Sequence, residues 1–295
     1  MKKKGFKQRM TRESLTAYGF LLPNLIGLTV FIFVPMVYAF YVSLHDWNAL
    51  SPKVFIGFDN YFRLAEDKAW WKSVYRTFIF TIIYVPALYG LSLFFAVAIS
   101  SLRGKVEGFA RTMFLLPYAI TSVISAVIWM FLYNPRNGVI NQFLELVGLP
   151  GQKFLGSTDE ALISIIVVIL WINLGYNMMI FLAAIKEIPN DYYEAARIDG
   201  AKGWQSFLHI TFPLIRETSI FILIVTTIGS FQVFDQIMVM TKGGPANSTE
   251  VSVLYIYQQA FEFLDMGYAS ALAVVLFLII FSLSLVQLKI YSKQD

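Results

Sequence analysis

The stretch that decides the fold runs from residue 161 to residue 201 and reads ALISIIVVILWINLGYNMMIFLAAI, followed by KEIPNDYYEAARIDGA. Residues 161–185 contain no Asp, Glu, Lys or Arg, and a helix of about 20 apolar residues is long enough to cross the hydrocarbon core of a bilayer. Residues 186–201 are polar and charged. A long apolar run that ends in a charged segment predicts a membrane-spanning helix with a soluble loop at its end.

The composition extends this prediction to the whole chain. Of its 295 residues, 57% are hydrophobic and 14% charged, with a mean hydropathy of +0.63, whereas soluble domains carry roughly a quarter charged residues. The unbroken apolar runs favour helices over the alternating strands of a barrel. We therefore predict an all-α integral membrane protein. Charged residues separate six apolar runs, which predict six transmembrane helices: 14–45, 77–102, 112–135, 161–185, 218–234 (continuing past Asp235 to Lys242) and 266–288.

The distribution of Lys and Arg predicts the orientation. If both termini lie inside, the inner segments carry 15 of the 23 Lys and Arg and the outer segments carry eight. The positive-inside rule therefore predicts a cytoplasmic N-terminal tail over 1–16, a membrane domain over 17–295 and a cytoplasmic loop over 186–216. The basic start lacks the short apolar core of a signal peptide. The net charge of +4 lies mainly in this tail, which indicates contact with membrane lipid and not with nucleic acid.

Several kinds of chemistry lack the residues that they need. The chain has no Cys, which excludes disulfides and thiolate metal sites. Its two histidines, His45 and His209, lie near predicted helix ends, so we expect no metal centre in the membrane. No G-x-x-x-x-G-K-[ST] loop is present, so we expect no ATP hydrolysis by this chain itself. A membrane-embedded enzyme would need clustered ionisable groups, and Asp235 is nearly alone within the spans.

The loop 186–216 has the signals of two short helices joined by a turn. The predicted parts are a cap at Asn190 or Asp191, a helix over 192–198, a turn with positive φ at Gly200 and a second helix over 201–208. Ala195 and Ala196 leave a shallow surface that another protein can approach. Because this element continues a transmembrane helix, it can transmit a push from a soluble partner.

The same loop resembles the EAA coupling loop of bacterial ABC import permeases. The matching residues are Glu194-Ala195-Ala196, Asp199-Gly200-Ala201, Trp204, Phe207, Ile210 and Pro213. In that family the loop docks in a groove on the ATPase subunit. The resemblance implies that the contact is made or shaped by Glu194, Ala195, Ala196, Asp199 and Gly200. One departure is Glu217 after Arg216, where many relatives have a proline.

Further motifs resemble the carbohydrate-uptake permeases related to the maltose and glycerol-3-phosphate transporters. These motifs are Phe231–Asp235, Met240–Pro245, Thr249-Glu250, Tyr255–Tyr257 and Ile56–Tyr61. The resemblance covers nearly the whole chain and implies a six-transmembrane-helix ABC type I importer permease in a bacterial plasma membrane. It also implies a second homologous permease, two ATPase subunits that bind ATP and Mg, and an extracellular solute-binding protein. This chain would hold no cofactor of its own.

Polar groups within the spans mark a candidate path for the substrate. They are Asn173, Tyr176 and Asn177 on one face of the fourth span, Gln232 and Asp235 three residues apart on one face of the fifth, and Tyr118, Thr121, Ser122 and Ser125 in the third. Trp171, Phe231 and Phe234 are candidates for stacking on a sugar ring. The alternative is that the polar groups bind neighbouring helices to one another. The absence of Lys and Arg from the spans favours a neutral oligosaccharide; glycerol-3-phosphate or another charged sugar derivative remains the alternative, because a partner subunit can supply charge.

Overall fold

The computed structural model describes residues 12–292. Residues 1–11 of the predicted tail and residues 293–295 lie outside the described residues. The chain divides into two compact units, one reaching to Glu66 and including Gln259–Val275, the other formed by Asp67–Gln258 and the residues from Leu276 onward.

Helices account for most of the described chain. They are α1 (Arg12–Leu28), α2 (Val34–Ser43), α3 (Asp59–Glu66), α4 (Lys68–Ser100), α5 (Gly104–Leu115), α6 (Ser122–Leu132), α7 (Val139–Leu146), α8 (Ala161–Glu187), α9 (Asn190–Ile198), α10 (Gly203–Ser206), α11 (Phe212–Leu214), α12 (Arg216–Phe231), α13 (Asp235–Met240), α14 (Ser252–Tyr257) and α15 (Met266–Ser292). π-Helical segments lie at Thr29–Phe33, Phe207–Thr211 and Gln258–Glu262, and 3-10 turns at Leu116–Ala119 and Phe154–Gly156. Two short strands, β1 (His45–Asp46) and β2 (Val54–Phe55), pair antiparallel.

Within residues 12–292, five helical segments are long and apolar enough to cross a membrane. These are Ala17–Ser43, Lys68–Ser100, Ala161–Glu187, Arg216–Met240 and Met266–Ile290. A sixth crossing is formed if the bent pair of Gly104–Ala119 and Ser122–Leu132 counts as one span. The all-α membrane fold predicted from the apolar runs is confirmed, and the six runs correspond in order to these segments.

The prediction of one continuous helix over 112–135 is wrong. α5 and α6 meet at an angle of 97°. Pro117 lies in the intervening 3-10 turn, where its ring and missing N–H do not support a continuous α-helix. Thr121 is extended, and its hydroxyl accepts a hydrogen bond from the Ile124 N–H at 3.4 Å, so it caps a new helix. Hydropathy alone does not reveal this bend, because the run stays apolar through it.

The fifth span is also interrupted. α12 ends at Phe231 and α13 begins at Asp235. Between them Phe234 leaves the helical region, with φ −146° and ψ −59°. The spacing of Gln232 and Asp235 predicted that they share a face of one helix. That prediction is wrong, because the helix is broken between them. They instead flank a short non-helical segment.

The loop 186–216 differs from its prediction in detail. α9 begins at Asn190, its N-cap position is Pro189 and no side chain caps it, so the cap predicted at Asn190 or Asp191 is wrong. Asp191 lies in the first turn, where the helix dipole favours an anion. The second helical stretch begins at Gly203 and not at Ala201, and it continues after α10 through the π-helical segment Phe207–Thr211 to Leu214, so it extends beyond the predicted 201–208. The turn at Gly200 has φ +80°, as predicted.

The first unit is held by polar contacts around α3. The Asn60 amide is buried and donates to the carbonyl oxygens of Ser43 and His45, at 2.9 and 3.1 Å. Arg63 pairs with Asp265 at 2.6 Å. A Cβ on Gly267 would lie 2.0 Å from the His45 carbonyl oxygen, so only glycine permits this approach.

The second unit is built around α4, which packs along α8 and α12. Apolar clusters lie around Phe80, Leu88 and Ile165, and around Phe181 and Ile222. Hydroxyl pairs also join the helices: Thr77 to Ser252 at 3.0 Å and Thr81 to Ser230 at 2.8 Å. Buried hydroxyls need such partners because no water reaches them in the hydrocarbon region.

Candidate functional site

A cavity of about 360 Å³ lies in the second unit. Its wall combines parts of α4, α8 and α12 with the 3-10 turn after α5 and the non-helical segment before α13. Six of the predicted polar residues line it: Asn173, Tyr176 and Asn177 from the fourth span, Gln232 and Asp235 from the fifth, and Tyr118 from the third. The fold thus brings together polar groups from three spans that lie far apart in the sequence.

Hydrogen bonds hold the polar groups of the cavity in place. The Asn173 amide donates to the Tyr84 hydroxyl at 3.1 Å and to the Ile169 carbonyl at 3.1 Å. The Asn177 amide donates to the Asn173 carbonyl at 3.0 Å. Asn173 therefore joins α8 to α4 while it lines the cavity, so the two roles considered for it are compatible.

Asp235 links the cavity to the bend between α5 and α6. The Ser122 hydroxyl donates to the Asp235 carboxylate at 2.7 Å. Ser122 is the first residue of α6, and Asp235 is the first residue of α13. Both helix breaks that the sequence did not reveal therefore meet at this contact, which positions the carboxylate beside the cavity.

Aromatic rings form another part of the wall. Tyr118 and Tyr176 stack with centroids 4.7 Å apart and an interplanar angle of 12°, and both line the cavity. Phe234 also lines it and contacts the Tyr257 ring at 5.1 Å. Such a wall offers flat apolar surfaces beside hydrogen-bonding groups, the combination typical of small-molecule pockets.

Other predicted residues lie elsewhere. Phe231 is 1% exposed and packs edge-to-face on Phe78 at 5.0 Å, so it is part of the core and not of the cavity wall. Trp171 packs on Trp129 at 5.6 Å in the apolar core. The Ser125 hydroxyl is buried, without a hydrogen-bond partner among the described residues. Helical periodicity could not distinguish Phe231 from Phe234, because the helix ends between them.

The cavity also includes residues that the sequence analysis missed. They are Phe80, Tyr84, Ile169, Val225, Thr226, Gly229, Ser230, Val233 and Gln236. Tyr84 had a usable signal, since a hydroxyl in the middle of an apolar span requires a partner. The apolar members carried no such signal.

The predicted coupling residues form an exposed surface on α9 and the turn after it. Glu194, Ala195, Asp199 and Gly200 are exposed, and Ala196 is half-buried. The surface also includes apolar groups, Ile198 at 86% exposure and Trp204 at 61%. Ile198 was missed, although it lies four residues after Glu194 and so on the same helix face.

Hydrogen bonds behind this surface hold the two halves of the loop together. The Tyr193 hydroxyl and the Thr211 hydroxyl are 2.9 Å apart, which joins α9 to the π-helical segment Phe207–Thr211. The Gln205 side chain accepts a hydrogen bond from the Lys202 N–H at 2.7 Å and so closes the start of α10. A second cavity, of about 870 Å³, separates the loop from the ends of α4, α5 and α8.

Comparison with known proteins identifies the family. A family model described as binding-protein-dependent transport system inner membrane component matches residues 54–293. The chain belongs to this family. The predicted recognition as an ABC transporter permease is thereby confirmed, as is a multi-pass membrane protein.

Relatives of this permease are named for the transport of sugars or of glycerol-3-phosphate. It is 34% identical to the trehalose/maltose transport system permease protein MalF of Thermococcus litoralis, covering 95% of this chain and 94% of that protein. It is 33% identical to the sn-glycerol-3-phosphate transport system permease protein UgpA of Agrobacterium fabrum, covering 96% of each. It is also 33% identical to the lactose transport system permease protein LacF of Rhizobium radiobacter, covering 94% of this chain and 96% of that protein. The predicted resemblance to carbohydrate-uptake permeases is confirmed.

The permease also shares its fold with a solved structure. That structure is a bacterial ABC transporter involved in the import of the acidic polysaccharide alginate, with a TM-score of 0.83 at 24% identity. The match covers 95% of this chain and 96% of the solved chain. It confirms the type I importer permease fold.

Proposed function

We propose that this chain is a permease subunit of an ATP-driven bacterial importer that takes up a carbohydrate, and that the substrate is a neutral oligosaccharide. The observation that carries the proposal is the cavity at the break between α12 and α13. There amides and a carboxylate from Asn173, Asn177, Gln232 and Asp235 lie beside the stacked rings of Tyr118 and Tyr176.

The cavity has the chemistry that a sugar requires. Amide and carboxylate groups bind hydroxyls as donors and acceptors, and aromatic rings cover the apolar face of a pyranose. Residues 232–234 are not helical, and backbone of this kind is tolerated at membrane depth where it lines a cavity. The position of this non-helical segment beside the cavity agrees with that rule.

The charge of the cavity favours a neutral substrate over an anionic one. No Lys or Arg is found among the described residues that line it, whereas Asp235 supplies a carboxylate. A second negative charge at 4 Å from that carboxylate would cost about 1 to 4 kcal/mol, depending on the local dielectric. Glycerol-3-phosphate is the second candidate, because UgpA is 33% identical over nearly the whole chain.

Transport would proceed by alternating access within a larger complex. This permease would pair with a second homologous permease and with two ATPase subunits. The ATPase subunits would bind ATP and Mg, and the loop 186–216 would dock on one of them. A solute-binding protein outside the cell would deliver the sugar. ATP would close the ATPase dimer, the loops around Glu194 would move and the cavity would turn outward; ADP release would restore the inward state.

The chain itself would then be neither an enzyme nor the holder of a cofactor. Both termini and the loop 186–216 would lie in the cytoplasm, and the membrane would be the plasma (inner) membrane of a bacterium. The excess of Lys and Arg in these segments supports this orientation.

A sugar screen on the purified complex tests the proposal. The permease is expressed with the proteins encoded by its chromosomal neighbours, and ATPase activity is measured in proteoliposomes with the binding protein and single sugars. Neutral oligosaccharides should stimulate hydrolysis and be taken up, and Asp235→Asn should lower the uptake. Stimulation by glycerol-3-phosphate alone would favour the second candidate. If no ATPase co-purifies, the proposal fails.

A further inference from the structure

Glu107 joins α5 to α8 at the end of the bundle that carries the loop 186–216. Its carboxylate accepts hydrogen bonds from Lys186 in the last turn of α8 and from Arg111 one turn along its own helix. The Glu107 side chain is 14% exposed, compared with 41% for Lys186. Glu107 is half-buried at the edge of the 870 Å³ cavity, and its carboxylate is shared between a cation on each helix, so the contact joins the two helix ends.

A second contact joins the same two helices nearer the sugar cavity. A Cβ built on Gly175 of α8 would lie 1.9 Å from the carbonyl oxygen of Phe114 and 2.9 Å from the Cα of Leu115. The backbones therefore touch at a place where only glycine fits. Gly175 is 11 residues before Lys186, which corresponds to about 16 Å along the helix.

The stacked tyrosines lie immediately beyond this second contact. Tyr176 follows Gly175, and Tyr118 lies in the 3-10 turn that continues α5 after Leu115. The pair stacks at 4.7 Å in the cavity wall. At the opposite end, α9 begins three residues after α8 ends. Two joined helices thus carry the exposed coupling surface at one end and the ring pair at the other.

We propose that α5 and α8 move as one rigid body during transport, and that Glu107 is the positioning residue that makes them do so. This rests on the proposed function, in which α9 receives the motion of the ATPase. With Glu107 in place, a displacement of α9 moves both members of the ring pair. Without it, α8 moves while α5 lags, so ATP is hydrolysed with less sugar carried across.

The measured quantity is the number of sugar molecules imported per ATP hydrolysed in proteoliposomes. Substitutions along a coupled element change coupling by about 0.5 to 2 kcal/mol, so Glu107→Gln and Lys186→Gln should each lower the ratio by about two- to thirtyfold. The ATPase activity should remain. Lys186→Arg, which keeps the ion pair, should retain the ratio. The matched control is Lys105→Gln, because Lys105 is an exposed lysine on α5, the helix of Glu107. This variant should leave the ratio of sugar to ATP unchanged.

Cross-linking distinguishes rigid-body motion from a merely structural role. The natural chain has no cysteine, so the double variant Glu107→Cys/Lys186→Cys can be joined by a bifunctional thiol reagent that replaces the two side chains. If α5 and α8 move together, cross-linking restores the ratio that the double substitution lowers. If cross-linking instead stops import, the helices separate during the cycle and the inference is overturned.

The outcomes separate this inference from the proposed function. If the wild-type complex shows no sugar-stimulated hydrolysis, the proposed function itself fails. If the wild type couples normally and Glu107→Gln gives the same ratio of sugar to ATP, only the role of Glu107 is wrong. Gly175→Ala is a second variant: it should separate the backbones at the contact with Phe114 and lower the ratio in the same direction, and an unchanged ratio would contradict the two-point contact.

Discussion

Replacing Gly200 by alanine perturbs the coupling loop without introducing a steric clash. Gly200 has φ +80°, and a Cβ built on it meets no atom within 4 Å. Its N–H donates to the Arg197 carbonyl at 3.1 Å, and the next N–H donates to the Ala196 carbonyl at 2.8 Å, which closes α9. The whole cost of Gly200→Ala is therefore that of placing an L-residue in the left-handed region, about 1 to 2 kcal/mol.

This cost sets the size of the expected effect. A difference of 1 to 2 kcal/mol changes the ratio of the native turn to its alternatives by a factor of about 5 to 30. Alanine also restricts the unfolded chain, which offsets roughly 0.4 to 1 kcal/mol of it. The mid-range net cost is about 0.8 kcal/mol, so we expect sugar-stimulated ATPase activity to fall about fourfold, and by no more than about fifteenfold, in Gly200→Ala.

Two further variants isolate the cause. Gly203 lies in the same loop, also has no atom within 4 Å of a built Cβ, and does not have a positive φ. Gly203→Ala should therefore leave the activity unchanged. Gly200→Asn should retain most of it, because asparagine adopts the left-handed region more readily than alanine. If Gly200→Ala behaves as wild type, or if Gly203→Ala loses as much activity, the left-handed turn is not what the loop requires.

Three other predictions concern the cavity and the loop after α13. Phe234→Ala should raise the sugar concentration needed for half-maximal uptake, as measured by transport. Phe231→Ala should instead lower the free energy of unfolding by about 3 to 5 kcal/mol, as measured by thermal unfolding in detergent, because it empties a buried site. Ser122→Ala should lower uptake severalfold, because it removes the donor to Asp235. Burial raises the pKa of Glu250 above its ordinary value of 4.5, so the folded state holds this proton more tightly than the unfolded state does. As the pH rises from about 4.5 through the raised pKa, the Tm of the wild type should therefore fall relative to that of Glu250→Gln.

The serine prediction has a control variant, and the glutamate prediction has an outcome that would contradict it. For the cavity serine the control is Ser125→Ala, which removes a buried hydroxyl without a hydrogen-bond partner among the described residues and should not reduce uptake. Equal effects of the two serine variants would refute the role of the Ser122 contact. For Glu250, the neighbouring Arg76 at 3.6 Å lowers the pKa and Asp67 raises it. A Tm difference that stays flat over this pH range would show that the carboxyl is not destabilised by burial.

The sequence predicted the spans well because lipid imposes a simple rule on them. Uncharged runs such as 161–185 must satisfy their own backbone hydrogen bonds, so they form helices. The loop 186–216 was equally accessible, since charges mark its ends and Gly200 marks its turn. These features depend on the composition of single segments, and single segments are what a sequence displays directly.

The helix breaks and the pairing of residues across spans could not be predicted in this way. The bend at Pro117 occurs within a run that remains apolar, and the polar residues Gln232 and Asp235 at the break after Phe231 did not by themselves indicate that the helix ends there. The hydrogen bond between Ser122 and Asp235 joins residues 113 positions apart. It exists only because both breaks meet at one place. Gly175 gave no signal either, since its role depends on how closely the α5 backbone passes.

The most direct test of the account is to ask what α9 touches. Because the natural chain has no cysteine, a single Ala195→Cys substitution can be cross-linked in the assembled complex and the product identified by mass spectrometry. We predict a product with the ATPase subunit from Ala195→Cys. We predict none from Leu50→Cys, which is 83% exposed and lies in a predicted external loop. If Leu50→Cys forms the ATPase product and Ala195→Cys does not, both the coupling loop and the orientation of the chain are contradicted.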